Sequence, residues 1–318
     1  MMEQYLYKFH FNGSVHLGRE EGRNVLQSSD MQLRSDTLFA ALCVEAARSD
    51  DNILNRLIGE AEAGRLLVSD GLPFRDRELF LPKPMLLRRE GTVPMESKQR
   101  KQLKKIPYIP LSKWNGYLAF LQGAKPLDQG FADTCKDLYF PDERTCAAVR
   151  GKEDPDPYLV NSIRFNVNCG LYVLLAFETE ELRIEVESLL ESLSVSGVGG
   201  KRSMGFGTFR LERCGALADV CPSLYKGITK EGAEHWITLN TSFPTDGELE
   251  EVIPTAAYAL CRRGGFVDGM GYKKRTIYAF AAGSCFEKRF SGEVANVAPE
   301  GCRPAYRLLK PIFLGVDV

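Results

Sequence analysis

The sequence predicts an α+β protein made of two βαββαβ halves. Three observations carry this. An alternating strand at the amino terminus leads into an amphipathic helix. A later strand–helix–strand series encloses a loop rich in glycine and basic residues. A chain of 318 residues can bury a substantial core and divides naturally into two domains.

The elements follow in order. Tyr5, Tyr7, Phe9 and Phe11 form one face of a first strand, with Leu6, Lys8 and His10 on the other. Asn12-Gly13-Ser14 and Leu17-Gly18 are turn-like, and polar residues 19–31 read as a loop. Ser35 or Asp36 caps a helix over residues 37–48. Leu38, Phe39, Leu42, Cys43 and Ala46 supply its buried stripe. A second helix over 52–63 stops at Gly64. Short strands are expected at 65–69 and 78–81. From 82 to 157 prolines and charges dominate, which reads as an insertion into a compact βα core. Its run Lys98, Arg100, Lys101, Lys104 and Lys105 suits a solvated face.

Strands resume at 159–165 and 171–177. Thr179 caps a helix over 180–193, in which Leu182, Val186, Leu189, Leu190 and Leu193 share one stripe. A strand follows from Phe206 to Leu211. After Cys214 come an expected strand at 236–240, a helix at 249–261 and a strand at 276–281. The resulting organisation is two ferredoxin-like (RRM-like) βαββαβ domains, 1–215 with its insertion and 216–318.

Composition excludes several classes. No apolar stretch approaches the ~20 residues that span a bilayer, and Met1-Met2-Glu3-Gln4-Tyr5 does not open a secretory signal. No membrane association is expected. Nine cysteines without a Cys-x-x-Cys pair, and only three histidines, do not suit a zinc site. Free thiols in a reducing cytoplasm fit better. No metal or cofactor is expected. The formal charge of −1 exerts no global pull on a polyanion, so any nucleic-acid binding must use local patches.

The loop after the 180–193 helix reads Ser194-Val195-Ser196-Gly197-Val198-Gly199-Gly200-Lys201-Arg202-Ser203-Met204-Gly205-Phe206-Gly207. Five glycines in eleven residues allow positive φ and close backbone approach. Successive N–H groups can then form an anion-binding concavity, with Lys201 and Arg202 adding charge. A P-loop requires Ser or Thr after Gly-Lys, but Arg202 follows Lys201. A dinucleotide fingerprint would place its third glycine at 202. The order helix, loop, strand is also the reverse of both motifs.

That loop resembles the signature glycine loop of the RAMP superfamily of CRISPR proteins. Within it, the chain resembles the family of subunits that cap the 5′ end of the guide RNA in type III-A (Csm) effectors. The agreeing segments are Phe9 to Gly18, Leu33-Arg34-Ser35-Asp36-Thr37-Leu38-Phe39-Ala40-Ala41-Leu42 and Leu81-Pro82-Lys83-Pro84. Lys104 to Leu111 and Arg303-Pro304-Ala305-Tyr306-Arg307 agree as well. These anchors span nearly the whole chain.

The resemblance implies a subunit that binds RNA without catalysing, and whose ligand is the repeat-derived 5′ handle of a mature CRISPR RNA. Its implied partners are the large polymerase-like subunit and the backbone RAMP subunit, with target RNA reached indirectly. In such a site Gly197, Gly199 and Gly200 donate main-chain N–H groups, and Lys201 and Arg202 neutralise phosphates. Ser203, Gly18 and His16 lie beside them. Phe206 either stacks on a base or packs in the core. Arg34 and Ser35 start a helix, where capping competes with phosphate binding. Arg164 is either a surface ion pair or an RNA contact. Lys273, Lys274 and Arg275 form a second basic cluster near Gly269 and Gly271, either a grip on the guide backbone or an exposed turn. The 82–157 insertion would approach the guide–target region.

The alternative is a RAMP-type endoribonuclease that processes repeat RNA, for which His10 and His16 are the candidate acid–base groups. A third reading moves the binding role to a type III-B effector. Nucleotide hydrolysis is disfavoured by the missing P-loop Ser or Thr.

Overall fold

The alternating amino-terminal stretch forms β1 (Glu3–Phe11), which lies inside the main sheet between two later strands. The computed structural model describes residues 2–18, 29, 31–89, 101, 103–148, 156–267 and 271–318. The expected loop at 19–31 and part of the 98–105 basic run therefore fall largely outside the described residues, as does Gly269. The architecture is mixed α and β with antiparallel sheets.

In chain order the first half contains β1, α1 (Ser35–Ser49), α2 (Asp51–Glu62), β2 (Leu66–Val68), β3 (Leu72–Arg75), β4 (Glu78–Pro82) and β5 (Tyr108–Pro110). Then follow α3 (Trp114–Leu121), β6 (Tyr139–Ala148), β7 (Asp156–Phe165), β8 (Cys169–Phe177), α4 (Glu180–Ser196) and β9 (Phe209–Ala216). The large sheet runs β5-β4-β3-β8-β1-β9, with β2 also paired to β8. Its core course is β1–α1–β2/β3–β8–α4–β9, with β8 and β9 flanking β1. All nine residues of β8 are buried. A strand covered on both faces reads as a continuous apolar run rather than an alternation.

The helices form where the stripes predict. Leu182, Val186, Leu189, Leu190 and Leu193 of α4 are all buried, and the Thr179 hydroxyl accepts the Leu182 N–H. Tyr7 of β1 donates to Glu187 of α4 at 2.7 Å. Gly64, at φ +74, follows the C-cap of α2.

Three expectations need correction. Residues 139–148 and 156–165 pair as the hairpin β6–β7, whereas the sequence pattern suggested loop up to 157. Pro141 and Pro157 obscured it. Proline is tolerated on an edge strand such as β6, where one side of the backbone needs no ladder partner. The helix at 249–261 is also shorter. It spans Asp246–Val252 and passes into a single turn at Ile253–Thr255 that contains Pro254. Residues 260–263 are instead a strand.

The third correction concerns the second half as a whole. It contains β10 (His235–Thr238), β11 (Leu260–Arg263), β12 (Ile277–Phe280), β13 (Cys285–Phe286), β14 (Val294–Asn296), β15 (Tyr306–Leu308) and β16 (Phe313–Val316). These pair as β13-β10-β16, β11-β12 and β14-β15. Among the described residues no four-stranded sheet assembles there. This half has an apolar cluster of its own, built from Trp236, Val252, Phe280, Phe286, Phe290 and Phe313, while Ile237, Leu239, Leu308, Ile312 and Leu314 join the same cluster as β1 and β8.

A buried polar seam joins the halves. Asp36, in the first turn of α1, is fully buried. Arg263 of β11 grips it with two hydrogen bonds of 3.0 and 2.9 Å, and Arg307 of β15 adds another. Burial alone would raise the Asp36 carboxyl, but the two guanidinium groups hold it below the usual carboxylate range. Asp70 completes the seam by accepting the main-chain N–H groups of Ser35 and Thr241, each at 2.7 Å. Asn240 bridges Val68 and Lys310 through its amide.

Removing one partner of such a group leaves the others buried and unpaired. Asp36→Ala is expected to cost about 3–5 kcal/mol, read by urea unfolding. The sign with pH follows from the lowered carboxyl. Its contribution is complete above the unfolded value of about 4 and is lost as pH falls below it. Asp36→Asn should therefore flatten the decline in stability below about pH 4; an unchanged acid limb would remove Asp36 as its source.

Candidate nucleic-acid interface

The glycine loop emerges from the carboxyl end of α4 and turns back into β9. Gly197 takes φ +82 as the helix ends, and its N–H donates to Leu193 at 2.7 Å. Val198 is buried, and its N–H donates to the Gly207 carbonyl at 3.0 Å. The Gly207 N–H reaches the Ser14 carbonyl, and the Gly200 N–H reaches the His16 carbonyl, both at 2.9 Å. Lys201 is left-handed at φ +61 and begins a single turn at Arg202–Met204.

The glycines are thus required by backbone meeting backbone inside the protein. A β-carbon at Gly197 would lie 2.6 Å from the Phe206 carbonyl. One at Gly199 would collide with the His16 carbonyl, and one at Gly207 with the Val198 carbonyl. This corrects the expected cradle. Two of its three expected donors, Gly197 and Gly200, already bond within the chain. The surface part of the loop is 201–205, where Ser203, Met204 and Gly205 are exposed and Lys201 and Arg202 half-buried.

Phe206 packs in the core at 2% exposure, so its ring offers no stacking surface. His16 is also buried. Its Nδ1 donates to the Asn161 carbonyl at 2.6 Å, and its main chain bridges to Gly200. Gly18 is exposed and bridges to Ser29.

Residues 14–16 tie the loop to the hairpin that the sequence pattern concealed. Val15 and Ile163 of β7 exchange N–H···O bonds of 2.8 and 2.9 Å. The order β6, β7, residues 15–16, Gly200 is therefore one continuous ribbon. Cross-strand partners share a face. Phe140 with Arg164, Arg144 with Val160 and Cys146 with Tyr158 stand on the same side.

Cations collect on that side. The Lys201 ammonium sits 4.7 Å above the Tyr158 ring and 3.1 Å from its hydroxyl. Arg144 lies 4.9 Å above the Phe206 ring and reaches Ser14 at 3.2 Å and Asp142 at 3.2 Å. The Asp142 carboxyl is lowered first by the Ser14 hydroxyl and then by Arg144 and Arg164. Arg164 is exposed. The structure so sets Lys201 and Arg164 on one ribbon and adds Arg144 and Tyr158, while Arg202 follows Lys201 in the surface part of the loop. A period-two pattern across 139–147 could have revealed Arg144.

The remaining candidates lie elsewhere. Arg34 pairs with Asp70 at 3.7 Å, and Ser35 is fully buried with its hydroxyl on the Thr241 carbonyl. Ser35 is therefore part of the seam and is removed from any surface contact. Lys273 and Arg275 are exposed beyond β11, and Lys274 is half-buried. Among the described residues no metal-binding cluster occurs and no helix is long and apolar enough to cross a membrane.

Comparison with known proteins is consistent from several directions. Residues 231–316 match the family model of the CRISPR Csm4 C-terminal domain. The chain is 35% identical over 322 residues to the CRISPR system protein Csm4 of Mycobacterium tuberculosis, covering 99% of this chain and 98% of that one. It is 28% identical to Csm4 of Streptococcus thermophilus over 312 residues, covering 93% and 95%. In fold it resembles a chain of the Csm3–Csm4 subcomplex of a type III-A interference complex. The TM-score is 0.68 at 17% identity, with 100% of both chains covered. A chain of a Csm1–Csm4 cassette in complex with pppApA gives 0.61 at 18% identity, covering 99% and 98%.

The loop geometry separates two kinds of glycine. Gly207→Ala is expected to cost about 3 kcal/mol or more, because its β-carbon meets a carbonyl at positive φ. Gly205→Ala meets open space and should cost only about 1–2 kcal/mol of left-handed strain. Thermal unfolding of the two variants reads the difference; equal losses would show that packing does not set the glycine at 207.

Proposed function

The chain belongs to the Csm4 family of CRISPR effector subunits, and on that premise we propose that it is a non-catalytic RNA-binding subunit of a type III-A effector complex. Its ligand is the repeat-derived 5′ handle of the CRISPR RNA. It bridges the large polymerase-like subunit to the backbone subunits. The solved relatives named for Csm1–Csm4 and Csm3–Csm4 assemblies support both associations. Residues 1–215 form a ferredoxin-like unit with an insertion, a reading supported by the β1–α1–β2/β3–β8–α4–β9 course. Residues 216–318 form the second unit, supported by the family match at 231–316.

The observation that carries the binding role is the ribbon joining β6–β7 to the glycine loop, with Lys201, Arg144 and Arg164 on one side. Phosphates are neutralised by these cations, while main-chain bonds from residues 14–16 hold the loop against the hairpin. Tyr158 holds the Lys201 ammonium through both its ring face and its hydroxyl. The two amides expected at Gly197 and Gly200 play no part, since each already donates within the fold. Local charge therefore does what the whole chain, at net −1, does not.

The endoribonuclease alternative is weaker in this geometry. A general base must reach the 2′-hydroxyl, and His16 is 4% exposed with Nδ1 committed to a carbonyl. His10 is paired 2.6 Å from Glu212 on the sheet. Incubation of the purified chain with labelled repeat RNA separates the readings, since cleavage abolished in His10→Ala would replace binding with catalysis.

Lys201→Ala combined with Arg144→Ala is expected to weaken binding of labelled handle RNA. The logarithmic salt slope should shallow by about 0.7 for each phosphate no longer neutralised. Fluorescence anisotropy at several salt concentrations measures both; unchanged affinity and slope would take the ribbon out of the RNA path.

A further inference from the structure

A second cationic surface lies away from the ribbon, on the hairpin β11–β12 and the chain that joins its strands. Residues 256–281 contain Arg262, Arg263, Lys273, Lys274 and Arg275 against a single acid, Asp268. This stretch also exposes aromatic and apolar side chains to an unusual degree: Phe266 is 62% exposed, Tyr278 57% and Leu260 50%. Tyr278 stands directly across the ladder from exposed Arg262. Phe266 bridges to Lys273, whose ammonium lies 5.6 Å from its ring centre. Arg275 is exposed, with its guanidinium resting on the Asn296 carbonyl.

Beneath this surface lies the buried polar seam. Arg263 lies close to both Arg34 and Lys274, Arg307 lies close to Lys274, and the carboxylates Asp36 and Asp70 face this group. Arg307 is 3% exposed, and its Nε has no hydrogen-bond partner among the described residues. Burial, together with Arg307 and Arg263, lowers the affinity of Lys274 for a proton.

Cations alone would accept any anion. Cations interleaved with exposed aromatic faces favour one class. Single-stranded nucleic acid presents phosphates to the first and unpaired bases to the second. We infer that the β11–β12 hairpin is a second RNA-binding face, on which unpaired bases stack against Phe266 and Tyr278 while Lys273, Lys274 and Arg275 hold the backbone. This rests on the RNA-binding reading and deepens it. The RNA path then crosses from the loop-and-hairpin ribbon of the first half to this face of the second.

The aromatic pair and the outer cations are exposed, so their replacement leaves the core intact. Two variants of the full chain test the inference, Phe266→Ala with Tyr278→Ala and Lys273→Ala with Arg275→Ala. The probe is a labelled single-stranded RNA of repeat 5′ sequence, with the same sequence as a duplex for comparison. The aromatic variant should bind the single strand about tenfold more weakly with its salt slope nearly unchanged, and should no longer prefer it over duplex. The basic variant should shallow the slope by about 0.7 per phosphate no longer neutralised. Native binding by both variants, alongside weakened binding by Lys201→Ala with Arg144→Ala, would overturn this site and leave the RNA-binding reading standing. Absence of RNA binding by the native chain would defeat that reading and this inference with it. Loss of a copurifying effector subunit in the aromatic variant, with RNA binding intact, would make the face a protein-docking surface instead.

Discussion

A carboxylate removed entirely from water must be paired, and the relation between the two halves of this chain depends on that requirement. Asp36 sits in the first turn of α1 with no exposed surface, and its two guanidinium partners come from strands more than two hundred residues later. The pairing is geometrically demanding because Arg263 binds both carboxylate oxygens. It fixes the second half against the first helix. Asp70 and Asn240 then satisfy main-chain groups that would otherwise be orphaned at the same junction. The apolar cluster runs continuously through this junction, so the small sheets of the second half draw part of their burial from the large one and part from their own cluster of Trp236, Phe280, Phe286 and Phe313.

The glycine loop shows how one residue pattern serves two different physical ends. Glycine permits close approach, and the sequence alone suggests a phosphate as the approaching group. In the structure that group is the protein's own backbone, at Ser14, His16, Val198 and Phe206. The consequence is mechanical. A loop held at these points is a rigid support, and it fixes the position of Lys201 on Tyr158. The hairpin β6–β7 is joined to that support through Val15. Charges that are scattered through the chain at 144, 164 and 201 therefore belong to one surface.

Near-neutral net charge and a proposed polyanionic ligand are compatible on these terms. Many acids in the chain are committed locally, as in the pairs of Arg56 with Glu185 and Arg183 with Glu180 and Glu187. The cations of the ribbon and of the β11–β12 hairpin lie outside these pairs, with Arg144 sharing its face with Asp142. Charge segregation at the length of a Debye screen, about 8–10 Å, is what a nearby phosphate senses.

Much was legible without the structure. The alternation of Tyr5 to Phe11, the stripe of residues 182–193 and the cap at Thr179 each determined an element, because local periodicity and local capping act within a few residues. The glycine loop was recognisable as a special backbone, and the family resemblance rested on short segments spread along the chain. The fates of His16, Ser35 and Phe206 were not legible, because whether a side chain faces water depends on what packs over it. The pairing of 139–148 with 156–165 was hidden by prolines that an edge strand accepts. Arg144 and Tyr158 beside Lys201, and Asp36 between Arg263 and Arg307, were decided only in three dimensions. Pairing between distant residues is set by strand register and by the demand that buried charge be compensated, and neither leaves a local mark on the sequence.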